Sequence, residues 1–118
     1  MTGSRSIAAV LVGLVMVALA APAASATATQ EIIRSEGVLW AEASVDGAGP
    51  LTITIKAPKV NGEGREVWQR CRFTALGAGT YRCGIDVAEG SQAAAREGIW
   101  VSRVSVDGLF AGRARFSI

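Results

Sequence analysis

The chain contains no histidine. The commonest general base and the commonest metal ligand are therefore both missing. Two cysteines are present, Cys71 and Cys83, and they lack the Cys-x-x-Cys spacing of a redox pair. Two sulfurs without histidine cannot complete a four-ligand zinc site unless carboxylates join them, so no metal and no cofactor is expected. No Gly-x-Ser-x-Gly elbow occurs, and a nucleophilic serine would have to rely on lysine or a carboxylate. Glu63 and Glu66 could serve as a carboxylate pair for glycoside cleavage. They flank Arg65 at a loop edge, where a solvated role explains them better, and an enzyme is not expected. Charge of either sign is also lacking in excess. Twelve basic residues stand against ten acidic ones, which argues against a general nucleic-acid binder.

The N-terminal stretch does have a clear pattern. Arg5 precedes an apolar run from Ile7 to Ala21, and Ala24-Ser25-Ala26 supplies a small-x-small cleavage pattern. This is the pattern of a secretory signal peptide. The run is shorter than the ~20 residues of a membrane-spanning helix, and no membrane association is expected after cleavage. Residues 1–26 are thus expected to be removed, and residues 27–118 to form one domain secreted from the cell. A disulfide suits that compartment.

The central stretch, Glu66–Val87, alternates about Gly77. Joining the cysteines as a structural staple places Val67 opposite Val87, Gln69 opposite Ile85, Cys71 opposite Cys83 and Phe73 opposite Tyr81. All of these but Gln69 suit a core-facing sheet surface. The expectation is a hairpin with one cross-strand disulfide, contributing about 2–3 kcal/mol. A second hairpin is expected between Val38–Val45 and Leu51–Ala57, turning at Asp46–Pro50. Leu39, Ala41, Ala43 and Val45 would face inward with Leu51, Ile53, Ile55 and Ala57, and Lys56 would lie across from Trp40. Glu31–Ser35 reads as a short first strand after a loose tail, Thr27–Gln30. Pro58–Arg65 reads as a loop, and Ala88–Glu97 as a crossing connection with a turn of helix.

Gly98–Val106 and Leu109–Ile118 form the last pair around Asp107-Gly108. The dipeptide favours a two-residue turn. The hydrophobic pattern favours a three-residue loop that puts Trp100, Val104 and Val106 on one face with Phe110, Ala114, Phe116 and Ile118, and this patterned register is the expectation. Gly37–Gly47 echoes Gly98–Gly108, but their tryptophans are out of step by one, so two similar hairpin starts explain the echo better than a duplication.

Short strands with turns every 8–12 residues point to an all-β, two-layer antiparallel sandwich of about seven strands. The run from Gly98 to Gly108, followed by an alternating last strand, resembles the final two strands of bacterial extracellular Ig-like modules. The Val38–Ala57 region resembles an early strand pair of the same modules. The resemblance covers most of residues 27–118 and implies an Ig-like β-sandwich with a binding or structural role. Tyr81-x-Cys83 imitates the tyrosine-corner spacing of antibody domains. Cys71, twelve residues before Cys83, departs from that family by lying too near for an inter-sheet bond.

The outward positions of the central hairpin supply the candidate ligand-binding residues. Arg72 and Arg82 would be directly opposed, with Arg70 two residues along and Trp68 beside them. Trp40 faces outward on the other hairpin. Opposed like charges cost stability. Guanidinium forks suit carboxylate, phosphate or sulfate, and indole rings stack on sugars. Trp68, Arg70, Arg72, Arg82 and Trp40 therefore suggest an acidic cell-surface glycan or an extracellular protein as partner. The competing reading is a soluble β-edge whose arginines pair with nearby acids such as Asp86 and Glu66, with Trp68 covered by the Pro58–Arg65 loop. An inhibitor presenting Pro58–Arg65 or Ala88–Glu97 to an extracellular hydrolase is the alternative.

Overall fold

The computed structural model of the protein describes residues 28–60 and 62–118. The expected leader, Met1–Ala26, lies outside the described residues. Seven strands follow one another: β1 (Ala28–Ser35), β2 (Val38–Val45), β3 (Gly49–Lys56), β4 (Val67–Ala75), β5 (Gly79–Asp86), β6 (Trp100–Val106) and β7 (Leu109–Phe116). They form two antiparallel sheets, one ordered β1-β2-β5 and the other β4-β3-β6-β7. The constant-type immunoglobulin sandwich divides its seven strands as 1-2-5-4 and 3-6-7. Here the fourth strand lies on the other sheet.

This division corrects both expected hairpins. β2 is bonded to β1 and β5, and β3 to β4 and β6. Neither the β2–β3 pair nor the β4–β5 pair shares a ladder. Residues 46–48 and residues 76–78 each carry the chain from one sheet to the other. The expected inward set nevertheless holds: Leu39, Ala41, Ala43, Val45, Leu51, Ile53, Ile55 and Ala57 are all buried. They meet face to face across the core rather than side by side. Alternation fixes which side of a strand is apolar, and both arrangements need the same alternation.

The true hairpins have two-residue turns with left-handed backbone. Glu36 and Gly37 lie at φ 51° and 81°, and Asp107 and Gly108 at 53° and 77°. Positive φ at both positions is the geometry that matches strand twist. β1 extends back to Ala28 because every residue from Ala28 to Ser35 pairs with β2. The expected loose tail is therefore strand from Ala28 onward. In the last hairpin the Asp-Gly turn prevails locally, with Val106 opposite Leu109. A bulge at Ala111 then restores the patterned register, and Trp100 faces Phe116. The cost falls on Phe110 and Ile118, which were expected inside and are 54% and 42% exposed. Residues 88–99 cross between sheets through turns, such as Ser91 N–H to Ala88 O at 2.9 Å and Arg96 N–H to Ala93 O at 3.0 Å. No helix forms among them.

Trp100, fully buried, centres the core. Its ring lies 6.3 Å from that of Phe116 and meets Trp68 edge-on at 5.2 Å. Its indole N–H donates to Arg96 O at 3.2 Å, so the buried polar atom is satisfied. One side of the sandwich is closed by Cys71–Cys83, with Cα atoms 5.8 Å apart. Because β4 and β5 are edge strands of different sheets, this disulfide is inter-sheet. The short separation that argued against such a bond suffices because the three-residue crossing brings both edges to the same side. The other side is closed between β1 and β6–β7. Ser102 Oγ donates to Gln30 Oε1 at 2.7 Å, and Gln30 Nε2 donates to Ser102 O at 3.3 Å.

Candidate anion-binding face

The register of the four-stranded sheet determines what its outer surface carries. Arg72, Thr52, Ser105 and Phe110 form one row across the strands. Arg70, Thr54, Arg103 and Arg113 form the next, and Val67, Lys56, Val101 and Arg115 the third. Six cationic side chains therefore stand on a field of roughly 14 Å by 14 Å, from strand spacing and rise. The four strands contain no acidic residue. The other sheet, by contrast, carries Arg34 and Arg82 with Glu31, Glu42 and Asp86.

No carboxylate relieves this crowding. Among the described residues the ion pairs are Arg82–Glu42 at 2.7 Å and Arg96–Glu66 at 3.2 Å, and neither involves the six. Arg103 and Arg113 are directly opposed, an arrangement that costs stability. Arg70 Nε donates weakly to Thr54 Oγ1 at 3.5 Å. The Arg103 guanidinium lies 4.8 Å from the Phe110 ring centroid, which gives the outward-turned phenyl group a partner. At the β7 side the face dips into a concavity of about 190 Å³, where Lys59 and Arg65 join Lys56, Arg103, Arg113 and Arg115.

The five candidate residues do not share one surface. Arg70 and Arg72 belong to the cationic face. Arg82 and Trp40 lie on the outer face of the opposite sheet, so Arg72 and Arg82 are not opposed. Trp40 pairs across the ladder with Gly84, and a Cβ at Gly84 would come within 2.8 Å of its ring. Arg82 sits 5.9 Å from the same ring and is held by Glu42. Trp68 is turned inward by an irregularity in the β3–β4 ladder, where Ile55 faces Gln69 but Lys56 faces Val67. Its ring packs on Trp100 and is covered by Arg96, whose guanidinium is 5.3 Å away.

Sequence reasoning missed Lys56, Arg103, Arg113 and Arg115. Each stands at an alternate, outward position of its own strand, which was a readable signal. Their convergence depends on which strands are neighbours. A larger concavity, about 530 Å³, opens between the β4 and β5 edges beside Trp68 and Gln69. It carries Glu66 and Asp86, so its polarity is opposite to that of the cationic face.

No protein-family model matches the chain, and no curated protein does. Among solved structures it is similar to part of β-glucosidase 3B from Thermotoga neapolitana in complex with glycerol, with a TM-score of 0.53 and 14% identity. The match covers 79% of this chain and 15% of that one. The same enzyme in complex with glucose gives a TM-score of 0.49 at 14% identity over 79% and 15% of the two chains. DesR, a β-glucosidase from Streptomyces venezuelae, gives 0.47 at 16% identity over the same shares. At 14% identity the first of these likenesses is one of fold alone, and the chain spans about 15% of the length of these enzymes.

Proposed function

We propose that this protein is a secreted, non-enzymatic Ig-like binding module that engages an anionic cell-surface polymer through the outer face of its four-stranded sheet. The observation that carries the reading is the segregation of charge: six cations on one sheet surface, with no acidic residue in its strands. Unpaired guanidinium groups at such spacing repel one another, and a polyanion lying across them removes that cost while accepting forked hydrogen bonds. Lysine and arginine also differ usefully here, since Arg supplies planar bidentate donors and Lys a point charge. The inter-sheet disulfide supports an oxidising compartment.

The test is co-sedimentation of the purified protein with insoluble anionic cell-wall polymer and, in parallel, with a neutral polysaccharide. Binding to the anionic polymer should fall as salt shortens the screening length from about 30 Å at 0.01 M to about 3 Å at 1 M. It should be lost in Arg72→Glu/Arg103→Glu and kept in Arg82→Glu, whose side chain lies on the opposite face. Equal retention by both polymers, or equal loss in both variants, would sink the reading and leave inhibition of an extracellular hydrolase as the function to examine. Soluble DNA as competitor separates a polysaccharide from a nucleic-acid preference.

A further inference from the structure

The cationic face is not uniform. Arg70 and Arg72 project from an edge strand, whereas Lys56, Lys59, Arg65, Arg103, Arg113 and Arg115 surround the concavity of about 190 Å³. These six come from β3, the β3–β4 connection, β6 and β7, so positive charge approaches one small space from several directions. We propose that this concavity is a discrete site for a tetrahedral oxyanion, a phosphate or sulfate ester carried by the polymer. The proposal rests on the anionic-polymer reading and names the group that the face recognises.

Two observations favour such an ester over a carboxylate, and a third favours a discrete site of either kind. The first is charge. Six cations around one space leave five uncompensated beside a carboxylate. A phosphate monoester brings close to two negative charges at neutral pH, whereas a sulfate monoester brings one and is favoured over a carboxylate by shape alone. The second is shape. A planar carboxylate presents two oxygens in one plane, while a tetrahedral ester presents three terminal oxygens in different directions, as walls built from four segments require. The third is preorganisation. Arg65 Nη1 donates to Ala57 O at 3.2 Å and also to Ile99 O, which fixes the guanidinium against the backbone. Its Nε and Nη2 donors have no protein partner among the described residues. Arg103 is likewise held over Phe110. Groups ordered before binding lose less entropy when the ligand arrives. The volume corresponds to about six waters at ~30 Å³ each, enough for one ester group and its bridging oxygen.

The test is isothermal titration of the purified protein with inorganic phosphate, sulfate and acetate at matched ionic strength. Arg113→Gln/Arg115→Gln alters the concavity, and Arg70→Gln/Arg72→Gln alters the face outside it. All four side chains are exposed, so neither pair of substitutions disturbs the core. Saturable one-site binding of phosphate or sulfate is expected, at least tenfold tighter than acetate. It should weaken at least tenfold in the first variant and less than twofold in the second, and the preferred anion identifies the ester. Acetate binding as tightly as the tetrahedral anions, a linear unsaturating response, or equal losses in both variants would overturn the discrete site. Polymer co-sedimentation of the same samples keeps the two readings apart. Retained polymer binding without a tetrahedral-anion preference refutes this site alone, and loss of both refutes the polymer reading as well.

Discussion

Arg113→Glu tests the electrostatics of the cationic face most directly. Arg113 lies opposite Arg103 in the β6–β7 ladder, and directly opposed residues have Cα atoms about 4.5–5.5 Å apart. With guanidinium groups about 7 Å apart in a water-like dielectric, Coulomb repulsion is about 0.6 kcal/mol before screening. Reversing one charge turns this repulsion into an attraction of similar size, and it also relieves Arg115 and Lys56 nearby. The expected gain is about 1 kcal/mol at low salt, the upper end of measured cross-strand pair effects. For a domain of this size that raises Tm by about 4–8 °C. Arg113→Gln should deliver about half the gain. Thermal unfolding by circular dichroism at 0.01 M and 1 M NaCl measures it, because at 1 M the ~3 Å screening length removes most of the difference. The same substitution should weaken polymer binding. A variant no more stable than the parent at low salt would refute the claim that these cations repel in the folded protein. A gain that persists at 1 M NaCl would show that its origin is not electrostatic.

Other substitutions test the fold. Replacing both cysteines with alanine should destabilise the protein by about 3 kcal/mol on the chain-entropy estimate for a separation of 12 residues. Urea unfolding measures the loss, and hydrogen exchange should rise first at the β4 and β5 edges. Gly84→Ala drives a methyl group into the Trp40 ring and should cost about 1–3 kcal/mol, accompanied by a red shift in tryptophan emission. Ser102→Ala removes the donor to Gln30 Oε1 from a fully buried position. Its expected cost is about 1–3 kcal/mol, read as a lower urea midpoint with unchanged slope.

Much of the core was legible in the sequence because burial follows a local rule. Leu39, Ala41, Ala43 and Val45, then Leu51, Ile53, Ile55 and Ala57, alternate with polar neighbours, and every one of them is buried. Connection length also held information about the sheets. The ladders β1–β2 and β6–β7 are joined by two residues, Glu36-Gly37 and Asp107-Gly108. The sheet-to-sheet crossings at 46–48 and 76–78 use three. Trp68 was harder to place, because the extra residue in the β3–β4 ladder reverses the side that simple alternation assigns.

By itself the sequence determined an all-β chain of seven strands, the inward face of most of them, and the pairing of its two cysteines. These follow from nearest-neighbour chemistry: alternation, turn residues and cysteine count. Only the tertiary structure decided which strands lie side by side, that the disulfide spans the two sheets, and that the cations gather. Lys56, Arg70, Arg72, Arg103, Arg113 and Arg115 are scattered along the chain, and its near-neutral total conceals them. Sheet order is set by how two apolar faces close over Trp100, a long-range packing choice that assigned the acidic strands to one layer and left the other wholly basic.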